Sequence, residues 1–270
     1  MKTMQICTVR RPAQLKAAAA ALCAALILYA FTARGGRSGT EVRTAQGGEV
    51  VTQEYTVPAQ ALHMISFGAY EEESAARVEA ARYVGRGTAG YIYPVDRLYV
   101  VAAGYDSRED AERVAEQIES SEGIVCQVLS VRSEPVSLQM TGTQRQIQTL
   151  VSSDATLRQA LGDLQQLSFV LDSGEADYLE VSRRLEDAID QTALAASQLR
   201  GDYALSGDAI GAGYLRLLNG LASSIRQFLT SGAETTLAFS SRIKYACIDN
   251  RLAYIDFLNG LTGTAGFGAD

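Results

Sequence analysis

The chain has 270 residues, of which 47% are hydrophobic and 20% charged, and its formal net charge is −7. This composition is typical of a globular protein, and the negative charge argues against a general polyanion binder, because phosphate contacts need Lys and Arg. His63 is the only histidine, whereas zinc hydrolases usually need two or three His ligands. We therefore expect a protein that is not an enzyme and that needs no metal and no cofactor.

An uncharged stretch follows a basic amino terminus. Residues 17–33 carry no charged side chain. The basic residues before them are Lys2, Arg10, Arg11 and Lys16. This pattern predicts a cytoplasmic segment at 1–16 and a transmembrane anchor at 17–33. The remainder of a single-pass cell-membrane protein is then expected to be extracytoplasmic, at a septum. A cleaved signal peptide is the alternative, and it would export the same remainder.

Glycine and polar residues dominate residues 34–60, a composition that predicts a flexible linker. Near the end of this linker, Val50-Val51 and Tyr55-Thr56-Val57 fit a short strand that precedes the first domain.

One pattern occurs twice between residues 62 and 131. Ile65–Tyr70 and Val100–Tyr105 are each an apolar strand that ends in a Gly and a Tyr, and an acidic helix start and an early Ala follow both. The two tyrosines lie 35 positions apart. Two βαβ copies in tandem predict a ferredoxin-like split βαβ sandwich at residues 61–132, with a four-stranded antiparallel sheet and two helices on one face.

The alternation of residues along each strand predicts which side chains face away from the helices. Ile65, Phe67 and Val100 are expected to face the helices. The outward residues form a candidate site on an open sheet face: Ser66, Tyr91, Tyr93, Arg97, Tyr99 and Gln127. Aromatic rings beside hydroxyl groups suit a sugar, which presents both C–H faces and hydroxyls. The alternative is that these tyrosines are ordinary strand residues, since strands favour aromatic side chains.

The repeat resembles the SPOR domain, the peptidoglycan-binding module of bacterial division and sporulation proteins. The resemblance rests on Ile65–Tyr70 before Ala75-Ala76, and on Tyr99–Tyr105 before Ala111. It implies that the open sheet face binds glycan strands. The chain departs from the family pattern at three positions, since the family often has Gln at Ser66, Ser at Ala69 and Arg at Tyr99.

A four-stranded sheet with exposed aromatics also describes an RNA-recognition domain. From 61 to 131 the chain has twelve Asp and Glu against six Arg and no Lys. This charge argues against nucleic acid as a partner.

Helical periodicity dominates the second half of the chain. Four amphipathic stretches with Gly-containing joints run over residues 143–171, 175–199, 206–229 and 234–258. They predict an antiparallel all-α bundle at residues 137–262. The bundle has no His, so it lacks a Glu-x-x-His metal site, and we expect it to serve in protein contact or spacing.

Three hypotheses follow for the function. The first is a non-catalytic, membrane-anchored envelope protein whose SPOR-like domain binds peptidoglycan at a division or sporulation septum, with a septal protein partner on the bundle. The second is an envelope protein–protein adaptor or assembly factor without sugar binding. The third is a wall hydrolase. A glycosidase that uses carboxylates alone is left open by residue counting.

Overall fold

The computed structural model describes residues 5–10, 49–203, 209–230 and 235–263. Its strands are β1 (Gln5–Arg10), β2 (Val50–Val57), β3 (Ala61–Tyr70), β4 (Tyr91–Pro94), β5 (Leu98–Tyr105), β6 (Gln127–Arg132) and β7 (Val136–Thr143). Its helices are α1 (Glu73–Val84), α2 (Arg108–Glu122), α3 (Gln144–Ser173), α4 (Tyr178–Tyr203), α5 (Ala209–Thr230) and α6 (Thr236–Thr262). The predicted α+β class, with a sheet region followed by four helices, is confirmed.

The repeated unit forms a four-stranded antiparallel sheet in the order β4–β5–β3–β6, with α1 and α2 on one face. Small residues let both helices approach the sheet closely. Ala76 and Ala80 of α1 pack with Val100, and Ala111 of α2 packs with Ile65. The helix starts are fixed locally, since the Ser107 hydroxyl accepts from the amide of Asp110 at the start of α2. The two early alanines of the repeat are therefore the positions where helix and sheet meet.

A second sheet, in the order β1–β7–β2, ties the first domain to the helices. Residues 50–57, which the sequence placed in the linker, form β2 and pair with β7 along its whole length. β7 alternates, and Val136, Leu138 and Met140 are buried against the bundle. The split βαβ domain is therefore inserted between two paired strands of the bundle domain.

The four helices α3 to α6 pack around one apolar core, with α3 against both α4 and α6. Thr143 and Gln146 form a capping box at the start of α3. The last helix, α6, has two buried sides. Phe239, Ile243 and Tyr254 belong to the bundle core, while Ile248 and Ile255 belong to a separate cluster on the sheet.

The predicted membrane localisation is wrong. β1 precedes the uncharged run 17–33 and β2 follows it, yet both strands pair with β7 in one sheet. A single span between them would put them on opposite sides of a membrane. Among the helices of the described ranges, none is long and apolar enough to cross a bilayer. Residues 17–33 themselves lie outside the described ranges, as do residues 34–48 of the predicted linker.

Candidate functional site

The sheet face opposite α1 and α2 is divided into two halves along the strands. The apolar half lies where β3 begins and β5 ends, and its side chains are buried: Leu62, Met64, Val101 and Val131. The polar half lies at the opposite end, near the β4–β5 hairpin. It carries the candidate residues Arg97, Tyr99 and Gln127, of which Arg97 and Gln127 are exposed and Tyr99 is half-buried.

Helix α6 covers the apolar half. Ile248, Leu252 and Ile255 of this helix are buried in one cluster with the four apolar sheet residues. An apolar sheet face of this size needs a cover, because each large aliphatic side chain gains roughly 1.5–3 kcal/mol when it leaves water. The face that the sequence predicted to be open is therefore open over its polar half only.

Gly104 on β5 is the point of closest approach between α6 and the sheet. A Cβ atom built on Gly104 would lie 3.3 Å from Cγ1 of Ile248 and 2.8 Å from Cδ1 of Leu62. Real Cβ atoms essentially never come within 3.0 Å of a neighbour, so a larger residue here would have to displace Leu62 or α6. The second glycine of the repeat thus makes room for the covering helix.

Hydrogen bonds and one ion pair hold α6 to the domain along its length. Their lengths, apart from the ion pair, run from 2.7 to 3.4 Å. They join Ser241 Oγ to Val84 O, Lys244 Nζ to Gly87 O, Tyr91 OH to Asp249 Oδ1, Arg251 to Asp106, and Asn259 Nδ2 to Arg132 O. On the domain side, all four hydrogen bonds use backbone carbonyls or a tyrosine hydroxyl, so polar contacts surround the apolar centre of the interface.

Strand register brings the candidate residues together in two pairs. Tyr93 faces Tyr99 across β4 and β5, and Ser66 faces Gln127 across β3 and β6. Tyr91 instead faces Val101, at the border of the apolar half. The six candidate residues are thus grouped at one end of the sheet, with Tyr91 nearest to α6.

The family model of the SPOR domain matches residues 59–130. The matched segment is just over a quarter of the chain and coincides with the four-stranded domain. SPOR domains are septal peptidoglycan-binding modules of division proteins, so the resemblance read from the repeat is confirmed. Neither the comparison with curated proteins nor that with solved structures gave a match.

Two of the candidate residues in the SPOR domain are already engaged. Ser66 is 1% exposed, and its hydroxyl donates to the carbonyl of Gly68 at 3.1 Å, across the irregular stretch of β3. Tyr91 is half-buried, and its ring centroid lies 5.0 Å from that of Tyr245 on α6. The Ser66 hydroxyl is therefore bonded within its own strand and is not available to a ligand. One part of the Tyr91 side chain is in contact with α6 and is covered by it.

The polar half retains groups that suit a neutral polar ligand. The guanidinium of Arg97 is 3.9 Å from Glu71, and both side chains are more than half exposed. The hydroxyl of Tyr99 donates to Asp96 at 3.0 Å, and this hydrogen bond raises the pKa of Tyr99. Gln127 is exposed at the end of β6. The guanidinium of Arg97 and the phenol of Tyr99 thus lie near the half-buried ring of Tyr93, and the amide of Gln127 lies on β6 at the opposite edge of the sheet.

Helix α6 adds negative charge beside the tyrosines of β4. Burial and then the Asp249 carboxylate raise the pKa of Tyr91. Burial and then Asp256 raise the pKa of Tyr93, and burial also raises the pKa of Asp256 itself. Both phenols therefore remain protonated hydrogen-bond donors at neutral pH.

The covering of the apolar half of the sheet by α6 was not predicted from the sequence. A signal was present in the strands, since the outward positions Leu62, Met64 and Val101 are as apolar as the inward ones. A sheet face that is exposed to water carries polar residues at such positions. The apolar residues on both faces of β3 therefore indicate a cover on each face.

Proposed function

We propose that this protein is a non-catalytic peptidoglycan-binding protein of the division or sporulation septum, in which the SPOR domain holds glycan strands on its sheet face. The observation that carries this proposal is the coincidence of the SPOR match with a sheet end that presents Arg97 and Tyr99 near Tyr93, with Gln127 exposed on β6 of the same sheet. The family supplies the substrate class, and the geometry supplies a surface of suitable chemistry.

The contacts fit a glycan chemically. The Tyr93 and Tyr99 rings form a cross-strand pair, which offers flat apolar area to the C–H face of a sugar ring. Arg97 and Gln127 flank this pair with hydrogen-bond donors that reach hydroxyl and N-acetyl oxygens. The contact area is small, so several sugar units along a strand are needed for stable binding.

The test is sedimentation of the purified full chain with peptidoglycan whose stem peptides have been removed. The Tyr99→Ala variant should bind more weakly by roughly 5- to 30-fold, the loss expected from roughly 1–2 kcal/mol at a binding hot spot. Tyr99→Phe keeps the ring and should retain most of the binding. Arg97→Ala should also weaken binding, whereas Arg77→Ala on α1, whose side chain is 71% exposed, is the matched control. Equal binding by wild type and Tyr99→Ala would remove Tyr99 from the site.

A second candidate function is a septal protein–protein adaptor without sugar affinity. The observation that favours it is that α6 occupies the apolar half of the face. The Ser66, Ala69 and Tyr99 departures from the family pattern point the same way. In this case neither whole sacculi nor stripped glycan would sediment the wild-type chain, and the bundle would carry the partner contact.

A further inference from the structure

We propose that α6 is a displaceable cover, so that the SPOR sheet binds glycan fully only when the SPOR domain swings away from α6. This inference rests on the proposed function, since it concerns access to the same glycan face. It assigns the carboxy-terminal helix a regulatory role within the chain.

The cover is separate from the bundle core. Ile248, Leu252 and Ile255 pack on the SPOR sheet, whereas the opposite side of α6, including Ile243 and Tyr254, packs in the bundle. The SPOR domain could therefore leave α6 while α6 keeps its place among the helices. Three large aliphatic side chains, four hydrogen bonds and one ion pair make up the contact, and its apolar part is small compared with the bundle core.

The covalent attachment of the SPOR domain is a narrow neck. Residues 58–60 and 133–135 are the two connections that join it to β2 and β7. The amide of Ser133 donates to the carbonyl of Gln60 at 2.9 Å, and Val57 pairs with Val136 just beyond. Such element-terminal residues are the positions that absorb rotation in hinge motions. Rotation about an axis through these two connections would move the whole SPOR domain without breaking the hydrogen bonds of either sheet.

The cover and a glycan strand compete for the same tyrosines. The Tyr91 ring packs on Tyr245, and its hydroxyl donates to Asp249. Tyr93 packs against the buried cluster to which α6 contributes. A sugar that stacks on Tyr91 or along Tyr93 needs the space that α6 fills. Glycan in the docked state is therefore limited to the outer part of the face, near Tyr99.

The cover can be locked by a disulfide. A Cβ on Gly104 would lie 3.3 Å from Cγ1 of Ile248, so the Cβ atoms of a G104C/I248C pair lie within about 5 Å, near disulfide spacing. The Cβ atom of G104C must displace the buried methyl group of Leu62, and the single G104C variant reports the effect of that displacement alone. The lock is made in the full chain with all four native cysteines replaced, because Cys247 is next to the new thiol. Each single cysteine variant, oxidised in the same way, is the control.

The cover can also be loosened. Leu252→Ala removes a buried side chain from the sheet contact and should tighten apparent glycan binding by about tenfold, because a larger fraction of the chain becomes binding-competent. Ile243→Ala is the matched control, since it removes an equally buried aliphatic group from the same helix but on the bundle side. Gained binding by Leu252→Ala and not by Ile243→Ala separates undocking from general destabilisation.

Sedimentation with peptidoglycan stripped of its stem peptides distinguishes the outcomes. The proposal expects the oxidised G104C/I248C chain to bind at least about tenfold more weakly than its reduced form, and Leu252→Ala to bind more tightly than wild type. Equal binding by all of these chains would overturn the cover and leave glycan binding intact. Binding by none of them, in either redox state, would refute the proposed function and the cover with it. The Leu252→Ala comparison decides the matter even if the cysteine pair does not oxidise.

Discussion

Tyr254 of α6 donates a hydrogen bond of 2.5 Å to the carboxylate of Asp154 on α3, and Asp154 is 0% exposed. Two further phenols, Tyr55 of β2 and Tyr214 of α5, donate to the same carboxylate, and Arg158 pairs with it at 2.9 Å. One buried acid therefore joins the small sheet to three helices. Tyr254 therefore holds the bundle-facing side of α6 at this carboxylate. The next residue, Ile255, lies on the side of the helix that packs on the SPOR sheet.

Replacement of Asp154 by Asn should strongly destabilise the protein. Asn keeps the shape but removes the charge and turns one of the two acceptor oxygens into an NH2 donor. Arg158 then loses its counter-charge, and two of the four groups that donate to Asp154 lose their acceptor. Removing one partner of a buried ion pair costs roughly 3–5 kcal/mol. Since the Arg158 side chain remains 32% exposed, we expect the lower end, about 3 kcal/mol. Urea unfolding followed by circular dichroism measures this loss.

Asp187 provides the matched surface control for that measurement. Its side chain is 62% exposed and lies 3.7 Å from Arg183 on the same helix. Asp187→Asn should change the free energy of unfolding by less than about 1 kcal/mol. Equal effects of the two substitutions would contradict a structural role for the Asp154 cluster.

Two Gly→Ala substitutions should have opposite effects. At Gly104 the new methyl group meets Leu62 at 2.8 Å and Ile248 at 3.3 Å, so Gly104→Ala should cost roughly 1–3 kcal/mol by overpacking. At Gly162, inside α3, nothing lies within 4 Å of the new atom, so Gly162→Ala should stabilise by up to about 1 kcal/mol. Thermal unfolding of both variants checks the signs. A neutral Gly104→Ala would show that α6 does not lie closely on β5.

The repeat made most of the SPOR domain predictable, because each of its strands and helices can be recognised from the residues of that segment alone. Tyr105 and Ala111 follow Tyr70 and Ala76 at the same offset of 35 residues, and this repeat predicts the split βαβ order. The position of α6 was not predictable in this way. Which helix covers Leu62 and Met64 depends on contacts nearly 190 residues apart in the chain, such as Leu62 with Ile248. Periodicity reports that a strand has two apolar faces but not which element fills the second.

The insertion of the SPOR domain between β2 and β7 was hidden for a similar reason. Val50–Val57 lies after a Gly-rich stretch, and the short strand proposed there had no visible partner. Its partner β7 begins after the inserted domain, and the alternation of Val136, Leu138 and Met140 gave no sign of which strand it meets. The candidate site shows the same limit. The alternation of residues correctly placed Tyr93 and Tyr99 on one face of the sheet. It did not reveal that β3 is irregular after Ser66, where the Ser66 hydroxyl donates to the carbonyl of Gly68.

The protein should lose stability at alkaline pH through its buried phenols. Burial, and then the hydrogen bond to Asp154, raise the pKa of Tyr55 to about 12 from an ordinary value of 10.0. Because the folded state holds this proton more tightly, its contribution is fully present below about pH 10 and is lost as the pH rises towards 12. The free energy of unfolding should therefore fall steeply over that range. Urea titrations at several pH values between 8 and 12 follow this fall.

Tyr55→Phe should make the alkaline fall shallower, because one group with a raised pKa is gone. The comparison uses slopes, since the variant also loses a hydrogen bond and starts from a lower stability. Tyr99→Phe is the surface comparison, because the Tyr99 phenol also donates to a carboxylate, that of Asp96, but lies at the surface of the SPOR domain. Its effect on the slope should be smaller than that of Tyr55→Phe. Identical slopes for wild type and Tyr55→Phe would rule out the Tyr55 proton as a source of the pH dependence.

The bundle domain should fold without the SPOR domain. Val57 and Val136 are paired directly, so residues 58–135 can be replaced by the two residues Asn-Gly, which form the preferred tight turn between antiparallel strands. The shortened chain keeps β2, β7 and the buried Asp154 cluster. We expect a mainly helical circular dichroism spectrum and a cooperative unfolding transition. A chain that remains unfolded would show that the SPOR domain is an integral part of the bundle core.

The shortened chain also tests the covering side of α6. Without the SPOR sheet, Ile248, Leu252 and Ile255 become an exposed apolar stripe, which should cause self-association. Replacing the three residues by Lys, Gln and Lys in the shortened chain should restore a monomer on size-exclusion chromatography and leave the helical spectrum unchanged. The matched control makes the same three substitutions at exposed positions of α4 instead: Glu186, Ala193 and Ser197. If the chain still self-associates after Ile248, Leu252 and Ile255 are replaced, the surface that causes association lies elsewhere on the bundle.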